Sequence, residues 1–332
     1  MNIENILAIT TRNNILESTH KGYVVVSDSD GNILKGTHSE YPKVFTRSAL
    51  KPIQALPFLL NDGLDKFGFT TKELALIIGS HSGEDEQVEI VERILKTIGL
   101  SEKDLRCGSH YPLNEKFKNK LIKENKEASQ VHCNCSGKHA GMLAVCLLNN
   151  WSIDNYIQYE HPLQKEIRFH ISNILNIPEK NLEWGIDGCG LPTYLIGLDK
   201  LAEFFAKIVN SEKYPEYTKA FNLIKSTFMQ YPNLVAGEGR IDTQIIQAYP
   251  NKCISKMGGE AVLGFALTDE KIGIAIKIED GSNRAMIPIL LRTLENLGID
   301  VKNSESLNKL LSLPIYNNSK KVVGFIESNY NF

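Results

Sequence analysis

The chain has 332 residues and a formal net charge of −2, with 42% hydrophobic and 23% charged residues. This composition is typical of a globular protein with a sizeable core, and the near-neutral charge argues against nucleic acid or an anionic membrane as a partner. The first residues lack the features of a secretory signal, and no apolar run approaches the roughly 18 residues of a membrane helix. We therefore expect a cytoplasmic protein that binds neither nucleic acid nor a membrane.

Strands are predicted near the N-terminus. Residues 22–36, GYVVVSDSDGNILKG, contain a β-branched run, an Asp-Gly turn and a second apolar segment in that order. Such an order is typical of a β-hairpin.

From about residue 48 the hydrophobic period becomes helical. A helix is predicted over 48–63, another begins at Thr70 or Thr71, and residues 138–151 have the pattern of a buried helix. Pro162 marks a further helix start, and residues 199–231 contain two more helices. Residues 48–251 are thus expected to be mainly helical.

Near residue 252 the pattern becomes extended again. Successive strands are predicted over 252–281, then an amphipathic helix over 283–298 and a last strand over 320–328. Strands from residues 1–47 and 252–332 are expected to share one sheet, with the helical section between them. The prediction is a single α/β domain spanning residues 1–332.

The six cysteines form an even number, which invites a disulfide interpretation. A chain of this length does not depend on disulfides, and the expected compartment is reducing, so we expect free thiols. Cys146 and Cys253 lie in apolar segments and are expected to be small core residues.

The stretch SALK places Ser48 and Lys51 three residues apart, on one face of a helix. A lysine held away from water has a lowered pKa and can take the proton of a serine, which makes the serine a nucleophile. Arg47 beside them is suited to add positive charge or to bind a substrate carboxylate through two hydrogen bonds. The alternative is a surface pair, and Pro52 disfavours helical backbone at Lys51, so the two residues would then straddle the helix start.

The stretch CSGK gives Cys135 and Lys138 the same spacing before another helix. A thiol near a helix N-terminus ionises readily, which suits either a nucleophile or a metal ligand. Cys189, in a glycine-flanked turn beside Asp187, would complete a zinc site. Spacing alone favours incidental reduced thiols, because C-x-C with one distant cysteine is not a standard zinc spacing. Two histidines are alternative ligands: His132 and His139.

A third candidate is Lys256, in a predicted strand that two glycines follow. Glycines there let a ligand or another backbone approach the strand closely. Ser80, in GSHSGE, is a candidate partner across a cleft. The alternative is a solvated lysine on a strand.

Taken together, these segments resemble the asparaginase II family, the rhizobial-type L-asparaginases. The resemblance covers nearly the whole chain and follows the family's order. It is carried by ESTHKGYVVVSDSDG, RSALKPIQALP, GSHSGED, HCNCSGKHAGML, HPLQ, WGIDGCGLPTY, GEGRIDT and KIEDGSNRA.

The resemblance implies hydrolysis of L-asparagine to L-aspartate and ammonia, and a fold similar to serine β-lactamases and penicillin-binding proteins. It implies Ser48 as the nucleophile, Lys51 as its base, and Ser80 with Lys256 as a second Ser–Lys pair. It also implies a homodimer and a zinc site, whose ligands are Cys135, Lys138 and Cys189. Three further residues are candidates for substrate binding: Arg47, Asp187 and Lys138.

Two positions depart from the family pattern. Ala261 stands where a glycine is usual, and Glu238 replaces a more usual small residue. Two rival functions remain open: a related small-amide hydrolase such as a glutaminase, and a non-catalytic protein that binds zinc or an amino acid. Turnover of substrate separates both rivals from an asparaginase.

Overall fold

The computed structural model describes residues 5–332, and the first four residues of the predicted domain lie outside the described residues. It has an α/β architecture in which strands near both chain ends enclose a helical section. The strands are β1 (Ile6–Arg12), β2 (Ile15–Ser27), β3 (Ile33–Gly36), β4 (Lys43–Phe45), β5 (Glu183–Ile186), β6 (Pro192–Gly197), β7 (Cys253–Met257), β8 (Val262–Leu267), β9 (Ile272–Ile278), β10 (Ser312–Tyr316) and β11 (Val322–Glu327).

The large sheet has eight strands in the order β10-β11-β1-β2-β9-β8-β7, with β3 paired to β2. The pairs are antiparallel, and the register sets Val24 of β2 opposite Ile276 of β9. β1 lies on the other side of β2, and its far edge pairs with β11, where Ile9 is opposite Glu327. The predicted α/β class and the sheet built from both chain ends are therefore confirmed.

One strand departs from the expected arrangement. β4 belongs to a separate three-stranded sheet of order β4-β6-β5, whose other two strands come from the section expected to be helical. Strands of only three to six residues give little period-two signal, so the sequence pattern does not separate them from loops.

The helices lie mainly between β4 and β7. They are α1 (Lys51–Gln54), α2 (Leu56–Leu60), α3 (Gly63–Phe67), α4 (Thr71–Ile78), α5 (Asp85–Thr97), α6 (Glu115–Lys123), α7 (Ser136–Leu148), α8 (Pro162–Leu175), α9 (Leu198–Val209), α10 (Thr218–Gln230), α11 (Pro232–Val235), α12 (Ile241–Ala248), α13 (Met286–Asn296) and α14 (Glu305–Asn308).

Helix α9 packs directly on the large sheet because glycines open the sheet surface. A Cβ at Gly264 of β8 would lie 2.0 Å from the ring of Phe205, and one at Gly273 of β9 would lie 1.9 Å from the carbonyl oxygen of Ala202. Phe205 and Ala202 are fully buried there. The core includes this sheet face with α9, and it extends to α13, which packs against β1, β9 and β11.

The predicted helix over 48–63 is broken into short pieces. A 3₁₀ turn, Arg47–Leu50, leads into α1, and Ala55 separates α1 from α2. Pro52 and Pro57 each stand in the first turn of a helix, where their missing N–H is tolerated. Ser48 and Lys51 consequently straddle a helix start.

Helix α4 begins as predicted, with Thr70 as its N-cap. The Thr70 side chain accepts a hydrogen bond from the backbone N–H of Lys72, and Glu73 closes a capping box with the Thr70 backbone N–H. This helix ends at Ile78, so Ser80 lies two residues after the end of a buried helix and is itself buried.

All six cysteines are free and buried, which agrees with the expected free thiols. Across residues 5–332, each helix is too short or too polar to cross a lipid bilayer.

Candidate active site

Ser48 lies at the end of β4, in the 3₁₀ turn that precedes α1. The turn is fixed to the small sheet because the backbone N–H of Thr46 donates to the carbonyl oxygen of Tyr194 at 3.1 Å. Arg47 has a φ of +49°, a left-handed conformation that is uncommon for a residue with a Cβ. Strained backbone of this kind clusters at functional sites, where surrounding structure holds it. Ser48 itself is half-buried.

Lys51 is fully buried, and its amine lies between two backbone carbonyls. Its Nζ donates to the carbonyl oxygen of Gly79 at 2.5 Å and to that of Asn134 at 3.1 Å. Burial lowers the pKa of Lys51, and the positive charge of Lys138 lowers it further, while Cys135 acts in the opposite direction. Within residues 5–332 the Lys51 amine makes no hydrogen bond to the Ser48 hydroxyl.

Ser80 and Lys256 form a second Ser–Lys pair, from positions 176 residues apart in the chain. Lys256 Nζ donates to Ser80 Oγ at 2.8 Å and to the carbonyl oxygen of Met257 at 2.9 Å. Burial lowers the pKa of Lys256 to about 7, against the opposing effect of the Asp242 carboxylate. The positive charges of Lys51 and Arg240 also act to lower it. An amine with such a pKa is divided between its charged and neutral forms at neutral pH.

Asp242, at the start of α12, is a site residue that sequence reasoning missed. It is 2% exposed, and its Oδ1 accepts hydrogen bonds from Ser255 Oγ at 2.7 Å and from the Met257 N–H at 2.9 Å. Its Oδ2 lies 4.0 Å from Lys256 Nζ. The available signal was an aspartate in the motif GEGRIDT, near the start of a helix.

The cysteine cluster is assembled where α7 meets the loop after β5. Cys135 is the N-cap of α7, and Lys138 in the first turn donates from its Nζ to Cys189 Sγ at 3.4 Å. All three side chains are buried. Hydrogen bonds from the thiols of Cys133 and Cys189 lower the pKa of Cys135, and the positive charges of Lys138 and Lys51 add to this effect.

The amine of Lys138 behaves differently from that of Lys51. Burial favours its neutral form, but the sulfurs of Cys135 and Cys189 and the carboxylate of Asp187 together raise its pKa above the ordinary value for lysine. Without a metal the protonated amine therefore lies against the sulfur atoms.

The residues expected to bind zinc suit a three-ligand site. In the part of the chain that the structure describes, no group of three or more His, Cys, Asp or Glu side chains is arranged to hold a metal ion. The donors brought together are instead two thiols and one amine, from Cys135, Cys189 and Lys138, and thiolate sulfur is a preferred zinc ligand. Zinc would have to displace the proton of Lys138, so its binding would weaken as pH falls.

The alternative histidine ligands have structural partners. Nδ1 of His132 accepts from the Ser129 N–H at 3.1 Å, and Nδ1 of His139 lies 2.7 Å from the Tyr156 hydroxyl. His81, fully buried, accepts at Nδ1 from the Gly83 N–H and lies 2.8 Å through Nε2 from Ser136 Oγ. Burial lowers the pKa of His81 to about 3, so its ring is neutral and fixes the loop that carries Ser80.

Arg47 and Asp187 form an ion pair at the edge of the site. Arg47 Nε donates to Asp187 Oδ1 at 2.5 Å, and the same oxygen accepts from the Gly188 N–H at 2.7 Å. The side chain of Arg47 is 32% exposed and that of Asp187 is 9% exposed. The guanidinium of Arg47 is therefore partly exposed, with its Nε held by the carboxylate of Asp187 and its Nη1 close to the backbone of Gly259.

The two departures from the family pattern have different structural settings. Ala261 has a φ of +52° and is fully buried, so a residue with a Cβ occupies a left-handed position. Glu238 is exposed, and its backbone N–H donates to Glu84 Oε1 at 2.8 Å. The first departure affects backbone strain directly before β8, whereas the second places a carboxylate in solvent.

Comparisons with known proteins give one decisive match. A search of curated proteins found no match. A solved structure of a candidate β-lactamase from Bacteroides dorei DSM 17855 is 11% identical, over 82% of this chain and 93% of that chain, with a TM-score of 0.43. The family model described as L-asparaginase II matches residues 8–328, so the chain belongs to the asparaginase II family.

Proposed function

We propose that this protein hydrolyses L-asparagine to L-aspartate and ammonia through an acyl-enzyme on Ser48. Family membership makes the chain an amidohydrolase that acts on asparagine. The observation that carries the proposed mechanism is a pair of buried lysines with lowered pKa values, Lys51 and Lys256, of which Lys256 hydrogen-bonds Ser80 directly. The turn that carries Ser48 packs against the end of β7, since a Cβ at Gly258 would lie 3.4 Å from the backbone nitrogen of Ala49. A neutral lysine in a water-poor site is a suitable general base.

Ser48 is assigned as the nucleophile because of its accessibility. It is half-buried beside the partly exposed Arg47, whereas Ser80 is 5% exposed and already paired with Lys256. A substrate carbonyl carbon has to approach within bonding distance of the attacking oxygen, which favours the more exposed hydroxyl. Ser80 and Lys256 then act as the neighbouring pair that receives and returns protons.

In the proposed reaction Lys51 takes the hydroxyl proton of Ser48, and the oxygen bonds to the side-chain amide carbon of asparagine. The tetrahedral oxyanion is stabilised by backbone N–H groups near the start of α1. A protonated lysine then gives its proton to the departing nitrogen as the C–N bond breaks, which releases ammonia. Water hydrolyses the β-aspartyl ester, yielding L-aspartate and free Ser48.

Substrate orientation is assigned to the charged groups around the serine. Arg47 binds the α-carboxylate with its two terminal nitrogens, which donate no hydrogen bond to any residue in 5–332. Asp187 attracts the α-ammonium group, and Lys138 adds positive charge on the side of the cysteines. These three roles are assigned from the charges of Arg47, Asp187 and Lys138.

A zinc ion held by Cys135, Lys138 and Cys189 would supply positive charge near the substrate and so favour binding of its carboxylate. The expected homodimer and cytoplasmic location likewise belong to the proposal as predictions.

The test is release of aspartate and ammonia from L-asparagine by the purified, reduced protein, with L-glutamine as the control substrate. We expect turnover of asparagine, and acid quenching during turnover should trap a β-aspartyl group on the peptide that contains Ser48. A β-aspartyl group trapped on Ser80 or Cys135 would instead identify that residue as the nucleophile. No turnover of either amide by the folded, zinc-supplemented protein would favour the binding-protein alternative.

A further inference from the structure

Residues 106–114 connect two loops of the candidate active site without forming a helix or strand, and we call this segment the strap. Near its end, the backbone N–H of Leu113 donates to the carbonyl oxygen of Ser82 at 2.9 Å. Near its start, the carbonyl oxygen of Cys107 accepts from Cys133 Sγ at 3.6 Å. The strap therefore joins the loop that follows α4 to the loop that precedes α7.

The ring of His110, in the middle of the strap, binds the backbone of the second of these loops. Its Nδ1 lies 2.8 Å from the carbonyl oxygen of Tyr111, and a carbonyl oxygen only accepts, so Nδ1 carries the proton. In this tautomer Nε2 is an acceptor, and the backbone N–H of Asn134 donates to it at 3.0 Å. The side-chain oxygen of Asn134 lies farther away, 3.4 Å from Nε2. His110 therefore holds Asn134 mainly by its main chain.

Asn134 also holds the proposed general base. Its carbonyl oxygen accepts from Lys51 Nζ at 3.1 Å, and the carbonyl oxygen of Gly79 accepts from the same amine at 2.5 Å. Since the N–H and the C=O belong to one residue, a shift of Asn134 away from His110 also moves the oxygen that Lys51 binds. The ring of His110 and the amine of Lys51 are thus linked through a single residue.

The two carbonyl oxygens determine the orientation of the Lys51 amine. An amine that acts as a base is neutral, with two N–H groups and one lone pair. When both N–H groups are donated to Gly79 and Asn134, one direction is left for the lone pair. Packing holds Gly79, because a Cβ there would lie 2.4 Å from the carbonyl oxygen of Ala75. If Asn134 moves, the amine can turn about its Cε–Nζ bond, and fewer of its orientations allow proton transfer.

We propose that His110 is a positioning residue for the reaction of Ser48: through Asn134 it holds the Lys51 amine in the orientation that accepts the serine proton. The inference rests on the proposed function, in which Lys51 is the general base. His110 itself exchanges no proton with the substrate in this assignment. Loss of its acceptor nitrogen should therefore slow proton transfer and leave substrate binding nearly unchanged.

The experiment compares His110→Asn with His110→Gln in the hydrolysis of L-asparagine. The glutamine side chain reaches the position of Nε2 with its amide oxygen and can accept from the Asn134 N–H, whereas the asparagine side chain is one carbon too short. We expect His110→Asn to lower kcat about tenfold with KM within about twofold, and His110→Gln to keep both within about twofold of wild type. His110 is half-buried, so both variants should fold, which thermal unfolding checks.

Labelling of Ser48 by diisopropyl fluorophosphate gives a second readout that does not need asparagine turnover. The Ser48 oxygen displaces fluoride from phosphorus, so a P–O bond forms, the P–F bond breaks and Lys51 takes the hydroxyl proton. The labelling rate should fall about tenfold in His110→Asn and by less than about twofold in His110→Gln, because the base is the same in both reactions.

His161→Ala is the matched control. His161 Nδ1 also accepts a backbone N–H, that of Leu163 at 3.2 Å, at the start of α8, and this bond involves neither carbonyl that holds Lys51. Loss of this N-cap should lower the unfolding temperature and leave the labelling rate within about twofold of wild type.

Equal kcat values and labelling rates in wild type and His110→Asn would overturn the positioning role and leave the proposed function standing. Equal losses in His110→Asn and His110→Gln would also overturn it, because the acceptor atom would then not matter. If Ser48 is labelled but asparagine is not hydrolysed, the proposed function fails, and the labelling rates of the two variants decide on His110. A wild-type protein that is not labelled at Ser48 would overturn the positioning role, since Lys51 would then not activate that serine.

Discussion

The two Ser–Lys pairs of the site are built in opposite ways. Ser48 and Lys51 are three residues apart and straddle a helix start, yet the Lys51 amine hydrogen-bonds backbone carbonyls. Ser80 and Lys256 come from distant segments and hydrogen-bond each other. In the local pair Ser48 is half-buried and makes no hydrogen bond with the buried Lys51, whereas both members of the distant pair are buried and hydrogen-bonded to each other. Sequence spacing therefore predicts which residues lie in a site better than it predicts which of them hydrogen-bond each other.

The largest expected effect separates the two serines. Ser48→Ala should lower kcat for asparagine by about 10³-fold or more, because it removes the attacking oxygen. Ser80→Ala should lower kcat by a smaller factor, about 10²-fold, because it removes only a proton-transfer partner. Steady-state kinetics on both variants, with thermal unfolding as the control for folding, measure the difference. A more damaging Ser80→Ala would reverse the assignment of the two pairs.

Lys256→Met should lower kcat about 10²-fold through loss of the amine. It should also change how stability depends on pH. The folded pKa of Lys256, about 7, lies below the unfolded value of 10.5, so the unfolded chain binds more protons between these values and wild-type stability rises with pH there.

The contribution of Lys256 to that rise is about 2 kcal/mol between pH 7 and pH 9, from about 1.4 kcal/mol per pH unit. Urea unfolding at the two pH values should therefore show a smaller increase for Lys256→Met than for wild type. An equal increase in both proteins would mean that Lys256 is charged in the folded state across this range.

Removal of metal should act on substrate affinity more than on folding. If zinc is bound by Cys135, Lys138 and Cys189, a chelator should raise KM for asparagine about tenfold, with kcat changed less. Cys189→Ser should reproduce that change, and added zinc should no longer reverse it. Equal KM values for chelated and zinc-loaded enzyme would remove zinc from the proposal.

Asp242→Asn should shift the acidic limb of the pH profile of kcat/KM to lower pH. We expect kcat/KM to rise through about pH 7 as Lys256 loses its proton, and the carboxylate of Asp242 acts to raise that pKa. Asparagine keeps the acceptor oxygen for Ser255 and Met257 but not the charge, so the midpoint should fall by about one pH unit or more.

Ser255→Ala is the control for Asp242→Asn, since it removes a hydrogen bond to Asp242 without changing the charge. A pH profile that is the same in wild type and Asp242→Asn would show that Lys256 does not govern the acid limb.

The smallest effect concerns backbone strain beside the buried pair. Ala261→Gly should raise the free energy of unfolding by up to about 1 kcal/mol, because Ala261 has a φ of +52° and glycine adopts that conformation without a Cβ penalty. The greater flexibility of glycine in the unfolded chain offsets part of the gain. A destabilised Ala261→Gly would show that packing of the buried methyl outweighs the strain.

Much of the fold could be predicted because long elements carry strong periodicity. The hairpin of β2 and β3, the start of α4 at Thr70, and the strands after residue 252 follow the sequence pattern. The small sheet could not be predicted, since β4 and β5 are short and β5 is largely exposed. Family resemblance pointed to the cysteines and lysines that the structure brings together. Asp242 was missed because its importance depends on Lys256 and Met257, which lie on another element.

The pairing of β1 with β11 has a consequence for biosynthesis. Ile9 and Glu327 are opposite each other, so one edge of β1 stays unpaired until β11, far later in the chain, has been synthesised. Pairing of such distant segments is slow, and the unpaired edge of β1 is exposed in the meantime. Lys256 lies on β7 of the same sheet, so its meeting with Ser80 also waits for late synthesis. A nascent chain halted before residue 322 should therefore bind chaperones and have no amidohydrolase activity.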